Sequence, residues 1–156
     1  MPIDEAAFRQ AMGHFACGVT VVTTQMGDER NGLTVASFAS LSLRPPLVLV
    51  CVEKSVKSHD AIAAAGKFAV NILAENQTDV SNRFATKAED KFADLPLHSG
   101  ELGLPLIDGA LANIECRLTN TLAGGDHSIF VGEVVHAEMR EGEPLLYFRS
   151  GYRKIG

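Results

Sequence analysis

The chain has 156 residues, 46% of them hydrophobic, and 14 Lys and Arg against 19 Asp and Glu give a formal charge of −5. That length buries a core without disulfide or metal staples. The composition excludes a disordered chain, and the acidic balance argues against nucleic acid as the main partner.

One domain spanning 1–156 is expected. Cys17, Cys51 and Cys116 are odd in number, form no C-x-x-C and sit in apolar contexts, so they read as reduced, buried thiols of a cytoplasmic protein. The histidines, at 14, 59, 98, 127 and 136, never pair at i+3 or i+4, which leaves a helical metal site without support. The N-terminus lacks a basic-then-apolar signal pattern, and no apolar run reaches 18 residues, so no membrane span is expected.

In chain order, Asp4 predicts an N-cap. Phe8, Met12 and Phe15 place one apolar face on the following helix, which Gly18 can end. The β-branched run 19–24 predicts a strand. Residues 27–32 predict a turn signalled by Asn31-Gly32, and strands at 33–43 and 47–53 follow, separated by Pro45-Pro46. A helix is predicted over 55–67 with Gly66 near its end, then a strand over 68–74 and a helix over 76–86. Residues 87–106 read as loop. Three strand candidates close the chain at 110–122, 128–139 and 145–149, joined by hairpin-like links. Arg149, Arg153 and Lys154 read as a solvated basic tail. The connections are too short for parallel crossovers, so the expected fold is mainly β, a largely antiparallel sheet with a few short helices. Closure into a barrel would remove its exposed edges.

Strand 33–43 is the unusual one. Alternation puts Leu33, Val35, Ser37, Ala39, Leu41 and Leu43 on a core face, and Thr34, Ala36, Phe38, Ser40 and Ser42 on a small, polar face. That second face is either solvated or a groove in which a flat polar ligand lies against the backbone. Ser55 and Ser58, interleaved with Lys54 and Lys57, flank a helix start, an arrangement suited either to ordinary capping or to a phosphate. A ligand with a phosphate at one end and a polar ring system at the other would use both features. Arg83 and Phe84 are adjacent in a helix, Phe84 packing inward and Arg83 solvated unless both meet a ligand. Asp126 and His127 fall at a hairpin mouth. Nothing marks a nucleophile, so no acyl-transfer triad is assigned.

Together, "FRQAMGHFACGVTVVTT", "GLTVASFASLSLRPPLVLVCV", "KFAVNILAENQ", "NRFA", "DKF", "GDHSIFVGEV" and "PLLYFRSGY" run nearly end to end in an order and spacing that resemble the short-chain flavin reductases. These are the reductase components of two-component flavin monooxygenases. The resemblance implies an FMN-binding split β-barrel and a homodimer. It implies an NAD(P)H:flavin oxidoreductase that binds FMN or FAD, takes hydride from NADH or NADPH, and supplies reduced flavin to a monooxygenase. It places the flavin phosphate near Ser55 and Ser58, and the ring and ribityl chain along Thr34, Val35, Ala36, Ser37, Ser40, Leu41, Cys51 and Val52. Arg83, Phe84 and Tyr152 would help hold or close over the flavin, and His127 would lie near the nicotinamide. Cys17 departs from the small hydroxyl residue common in that family. No catalytic acid or base is expected, because hydride transfer to flavin rests on ring proximity. Two alternatives stay open. One is a flavin-dependent reductase of a corrinoid, metal or protein. The other is a flavin-binding electron carrier without NAD(P)H turnover.

Overall fold

The computed structural model describes residues 1–88 and 90–156. Helix α1, Glu5–Met12, starts where Asp4 accepts a hydrogen bond from the Ala7 N–H at 2.9 Å. It ends at Gly13 rather than Gly18, because the chain turns there into β1, Cys17–Gly18. Its apolar residues Phe8 and Met12 are left bare, 56% and 54% exposed, and Phe15, expected on the same helix, lies beyond its end and is 71% exposed.

Strands β2, Thr20–Met26, and β3, Glu29–Val35, form a hairpin in which Met26 pairs with Glu29. Its turn is Gly27-Asp28, with Gly27 at φ 61°, and Asn31-Gly32 lies inside β3 instead. The predicted strand 33–43 is two strands, β3 and β4, Phe38–Ser42, which break at Ala36-Ser37. The break resets the alternation. Leu33 and Val35 face the core as expected, but so does Phe38, while Leu41 and Leu43 are 48% and 78% exposed.

After the Pro45-Pro46 bend comes β5, Leu47–Glu53, in which Val48, Val50 and Val52 point into the core. Helix α2, Lys57–Ala65, closes on Gly66 in the left-handed conformation at φ 68°. Next are β6, Lys67–Ile72, and α3, Thr78–Phe84. The segment expected as loop contains β7, Leu97–Ser99, and β8 begins at its end, Pro105–Ile107; residue 89 lies outside the described residues. Long strands β9, Ala112–Gly124, and β10, His127–Met139, form a hairpin, and β11, Leu146–Phe148, and β12, Gly151–Arg153, end the chain.

Every strand pair is antiparallel. The main sheet has the order β3-β2-β6-β9-β10-β5-β4. Its terminal strands, β3 and β4, are neighbours in sequence, separated only by Ala36 and Ser37. Three Cα steps from Val35 to Phe38 span at most about 11 Å, so the sheet must curl enough to bring the C-terminal end of β3 and the start of β4 within that distance, although the two strands do not pair. Inside the curl lies a core of Val22, Val35, Val48, Val50, Val52, Ile62, Phe68, Val70, Cys116 and Phe130. Burial pushes the Cys116 thiol up to about 12, leaving it inert. A second cluster, including Val21, Leu73, Phe84, Ile107 and Leu145, packs on the outside under α3 and the C-terminal strands.

Candidate functional site

The bend at residues 36–37 is held from β5. Cys51 donates its N–H to the Ser37 carbonyl at 3.1 Å, and the Ser37 hydroxyl donates to the Cys51 carbonyl at 3.0 Å. Ala36, Ser37, Ala39 and Ser40 are all exposed, and β4 is the last strand of its sheet. One row of β4 backbone groups therefore has no strand partner and lies beside small side chains, a surface that a flat ligand can approach closely. Cys51 is half-buried on the face opposite Val52. Val52 and Val35 are buried, at 0% and 4% exposure, so contrary to expectation neither offers a ligand appreciable surface in this chain.

A second group of residues forms where α2 begins. Val56 occupies its N-cap without a side-chain cap, which leaves the first N–H groups for solvent or an anion. Ser55 is exposed beside it. Ser58 does not cap: it is buried and donates to the Gly32 carbonyl at 3.2 Å. The same carbonyl accepts from the Lys91 ammonium at 3.2 Å, and Lys91 also reaches the Phe84 carbonyl at 3.4 Å. Burial lowers the Lys91 pKa from the usual lysine range. Phe84 fills the core and packs edge-on to Phe92 at 5.1 Å, so contrary to expectation its ring is not free to meet a ligand. Arg83 is exposed and donates to the Ala93 carbonyl at 2.7 Å.

Lys91 is the residue that sequence reasoning passed over. It lies in the stretch that reads as loop from sequence, and only the tertiary fold brings its amine beside Ser58 and Phe84. The short run "DKF" was its one sequence signal.

The polar groups of β3 and β12 converge on α3. Thr34 donates its hydroxyl to the Ser81 carbonyl at 2.6 Å, so it ties strand to helix rather than facing open groove. The Tyr152 hydroxyl donates to Asn82 Oδ1 at 2.9 Å and lies 2.7 Å from Ser81 Oγ, latching the C-terminal strand over α3. Leu41 and Ser40 sit apart on β4.

At the β9–β10 mouth, the His127 ring bonds Asp126 through Nδ1 at 2.7 Å, and this bond holds the Asp126 carboxyl below the usual range. The Asp126 carbonyl accepts from the Lys54 N–H at 2.9 Å, and His127 pairs with Glu53. The hairpin mouth thus adjoins the chain that leads into α2. Among the described residues no cluster of His, Cys, Asp and Glu could hold a metal, and no helix is long and apolar enough to cross a membrane. Two shallow depressions, of about 380 and 430 Å³, are lined by neither the bend residues nor the α2 start. Of the predicted site residues, Ala36, Ser37, Ser40, Leu41 and Ser55 lie exposed, whereas Val35, Val52, Ser58 and Phe84 are buried.

Residues 12–156 match the family described as "Flavin reductase like domain". The chain is 44% identical over 151 residues to the reductase component of 4-nitrophenol 4-monooxygenase/4-nitrocatechol 2-monooxygenase from Rhodococcus opacus, covering 97% of this chain and 81% of that one. It is 45% identical over 152 residues to the FMN reductase (NADH) SmoA of Agrobacterium fabrum, covering 97% and 87%. The structure of the NADH:FAD oxidoreductase SgcE6 of Streptomyces globisporus, in complex with NAD and FAD fragments, superposes with a TM-score of 0.94 at 40% identity, covering 98% and 93%.

Proposed function

The chain belongs to the flavin reductase like family, and we propose that it is an NAD(P)H:flavin oxidoreductase supplying reduced FMN or FAD to a partner monooxygenase. The observation that carries this reading is the juxtaposition at the bend of β3 and β4. An exposed row of small residues and free edge backbone, Ala36 to Ser40, runs along β4 from its end beside Cys51, and the uncapped start of α2 and the hairpin mouth bearing His127 both adjoin that same end of β5. A flavin laid along it has its phosphate at Ser55, Ser58 and Lys91, and its ring over residues 36–41.

The residues present fit such a group. The α2 N–H groups and the Lys91 cation suit a phosphate, and the edge N–H groups suit an electron-rich ring. When bound, the flavin supplies the hydride-accepting chemistry. This chain's residues bind and orient it, and His127 faces the nicotinamide side. No acid-base pair is called for, because the rate rests on placing two rings in contact.

The curled sheet is read as a split barrel and the working unit as a homodimer, acting in the cytoplasm. Exposed Phe8 and Met12 on α1 and Phe15 just beyond it, with Leu41 and Leu43 on and beyond β4, supply the apolar surface that a second copy would cover. That second copy would turn the open surface into a pocket. The test is oxidation of NADH and NADPH with catalytic protein and excess FMN, FAD or riboflavin. Steady turnover supports the reading. Tight flavin without turnover would replace it with an electron carrier.

A further inference from the structure

His59 lies on the first turn of α2, one residue after Ser58. Its Nε2 is 2.7 Å from the Ser128 hydroxyl on β10, its Nδ1 is 2.9 Å from Asp60 Oδ1, and its ring packs on Phe130 at 5.0 Å. The carboxylate at Nδ1 only accepts, so Nδ1 carries a proton, and in the neutral ring Nε2 accepts from Ser128. The order of atoms resembles an acyl-transfer triad, but the surroundings do not permit one. Ser128 is 5% exposed and locked in strand pairing between Val52 and Ala123, so its hydroxyl meets neither a substrate path nor free N–H donors for an oxyanion.

What the bond does is mechanical. Ser58 fastens the α2 start to β3, and His59 fastens it to β10. These strands lie four places apart in the sheet order, so two adjacent residues span the curl. The β10 end of this bolt is the residue next to His127. We propose that His59 is a positioning residue that, through Ser128, sets the spacing between the phosphate end and the nicotinamide end of the site. The inference rests on the proposed reductase reading.

The test is a cycle of His59→Phe, Ser128→Ala and the double variant, with His59→Gln as the conservative exchange. Flavin titration, NADH KM and kcat at saturating flavin, and thermal melting are read for each. His59→Phe keeps the packing on Phe130 and deletes the bond. It should weaken flavin binding and raise the NADH KM by about 3–10-fold each, the worth of one neutral hydrogen bond. His59→Gln keeps an acceptor in reach of Ser128 and should stay near the parent. In the single Phe variant the buried Ser128 hydroxyl is orphaned, so Tm falls. In the double variant both polar partners are gone, so Tm recovers.

Positioning requires that both affinities stay impaired in the double variant although stability has returned. A double variant with parental flavin affinity and parental NADH KM would reduce His59 to a structural residue. So would a Gln variant as impaired as the Phe variant. A parent protein that oxidises no NADH with any flavin would instead refute the reductase reading itself. A turning-over parent with an unimpaired double variant refutes only the role of His59.

Discussion

Gly32 is the position where a single methyl group should disturb the proposed phosphate end of the site. A Cβ there would fall 2.8 Å from Phe84 Cε1, 3.0 Å from Cδ1 and 3.2 Å from the Val22 carbonyl oxygen. The ring cannot swing aside freely, because Phe84 is 1% exposed and packed against Phe92. Overpacking of this kind costs about 1–3 kcal/mol. Removing a glycine from the unfolded chain returns about 0.4–1 kcal/mol. Taken at the middle of both ranges, the net is a loss of about 1.3 kcal/mol, and at about 2–4 °C per kcal/mol for a chain this size Tm falls by about 3–5 °C. Because the Gly32 carbonyl accepts from both Ser58 and Lys91, a shifted β3 also displaces those donors, and FMN affinity should fall with stability. Thermal melting and a flavin fluorescence titration read the two effects. Adding Phe84→Leu to Gly32→Ala makes room for the methyl, so the double variant should lose less than the sum of the single losses. An unchanged Tm for Gly32→Ala, or strictly additive losses in the double variant, would refute the packing argument.

His127→Ala should raise the NADH KM by about 5–30-fold with flavin affinity nearly unchanged, the loss of one polar contact and no proton transfer; steady-state kinetics at saturating FMN check this. Tyr152→Phe deletes the hydroxyl that joins β12 to Asn82 and Ser81, and should cost about 1 kcal/mol by denaturant melting. His98 bridges Asp108 and Glu138 at 2.5 and 3.0 Å, and the Asp108 bond, with help from Glu138, raises its pKa above the usual 6.5. The folded pKa lies above the unfolded one, so this clip is fully present below about pH 6.5 and is lost as pH rises through the raised value. The groups are part-exposed, so its worth is small, about 0.5 kcal/mol. His98→Gln should flatten that part of the stability-versus-pH curve measured between acid and alkaline buffers.

Local pattern determined much of this protein. The β-branched run before Met26, the alternating valines of β5, the αL glycine after α2 and the short links were legible because period-2 patterning and turn chemistry act over a few residues. Asp4 was readable as a cap for the same reason. What local pattern could not settle was which hydroxyl meets which carbonyl. Thr34 and Ser81 are 47 residues apart, Ser58 and Gly32 are 26 apart, and Lys91 reaches Gly32 from 59 residues away. Those meetings depend on how a seven-stranded sheet curls, and the curl is set by the break at Ala36-Ser37, which alternation alone reads straight through. The break brings Phe38 onto the core side and carries Leu41 outward, so a face assigned by counting residues was right for Leu33 and Val35 and reversed beyond them. Tertiary packing decided that reversal because burying Phe38 against the core and fixing Ser37 to Cys51 are gains available only once β5 lies alongside.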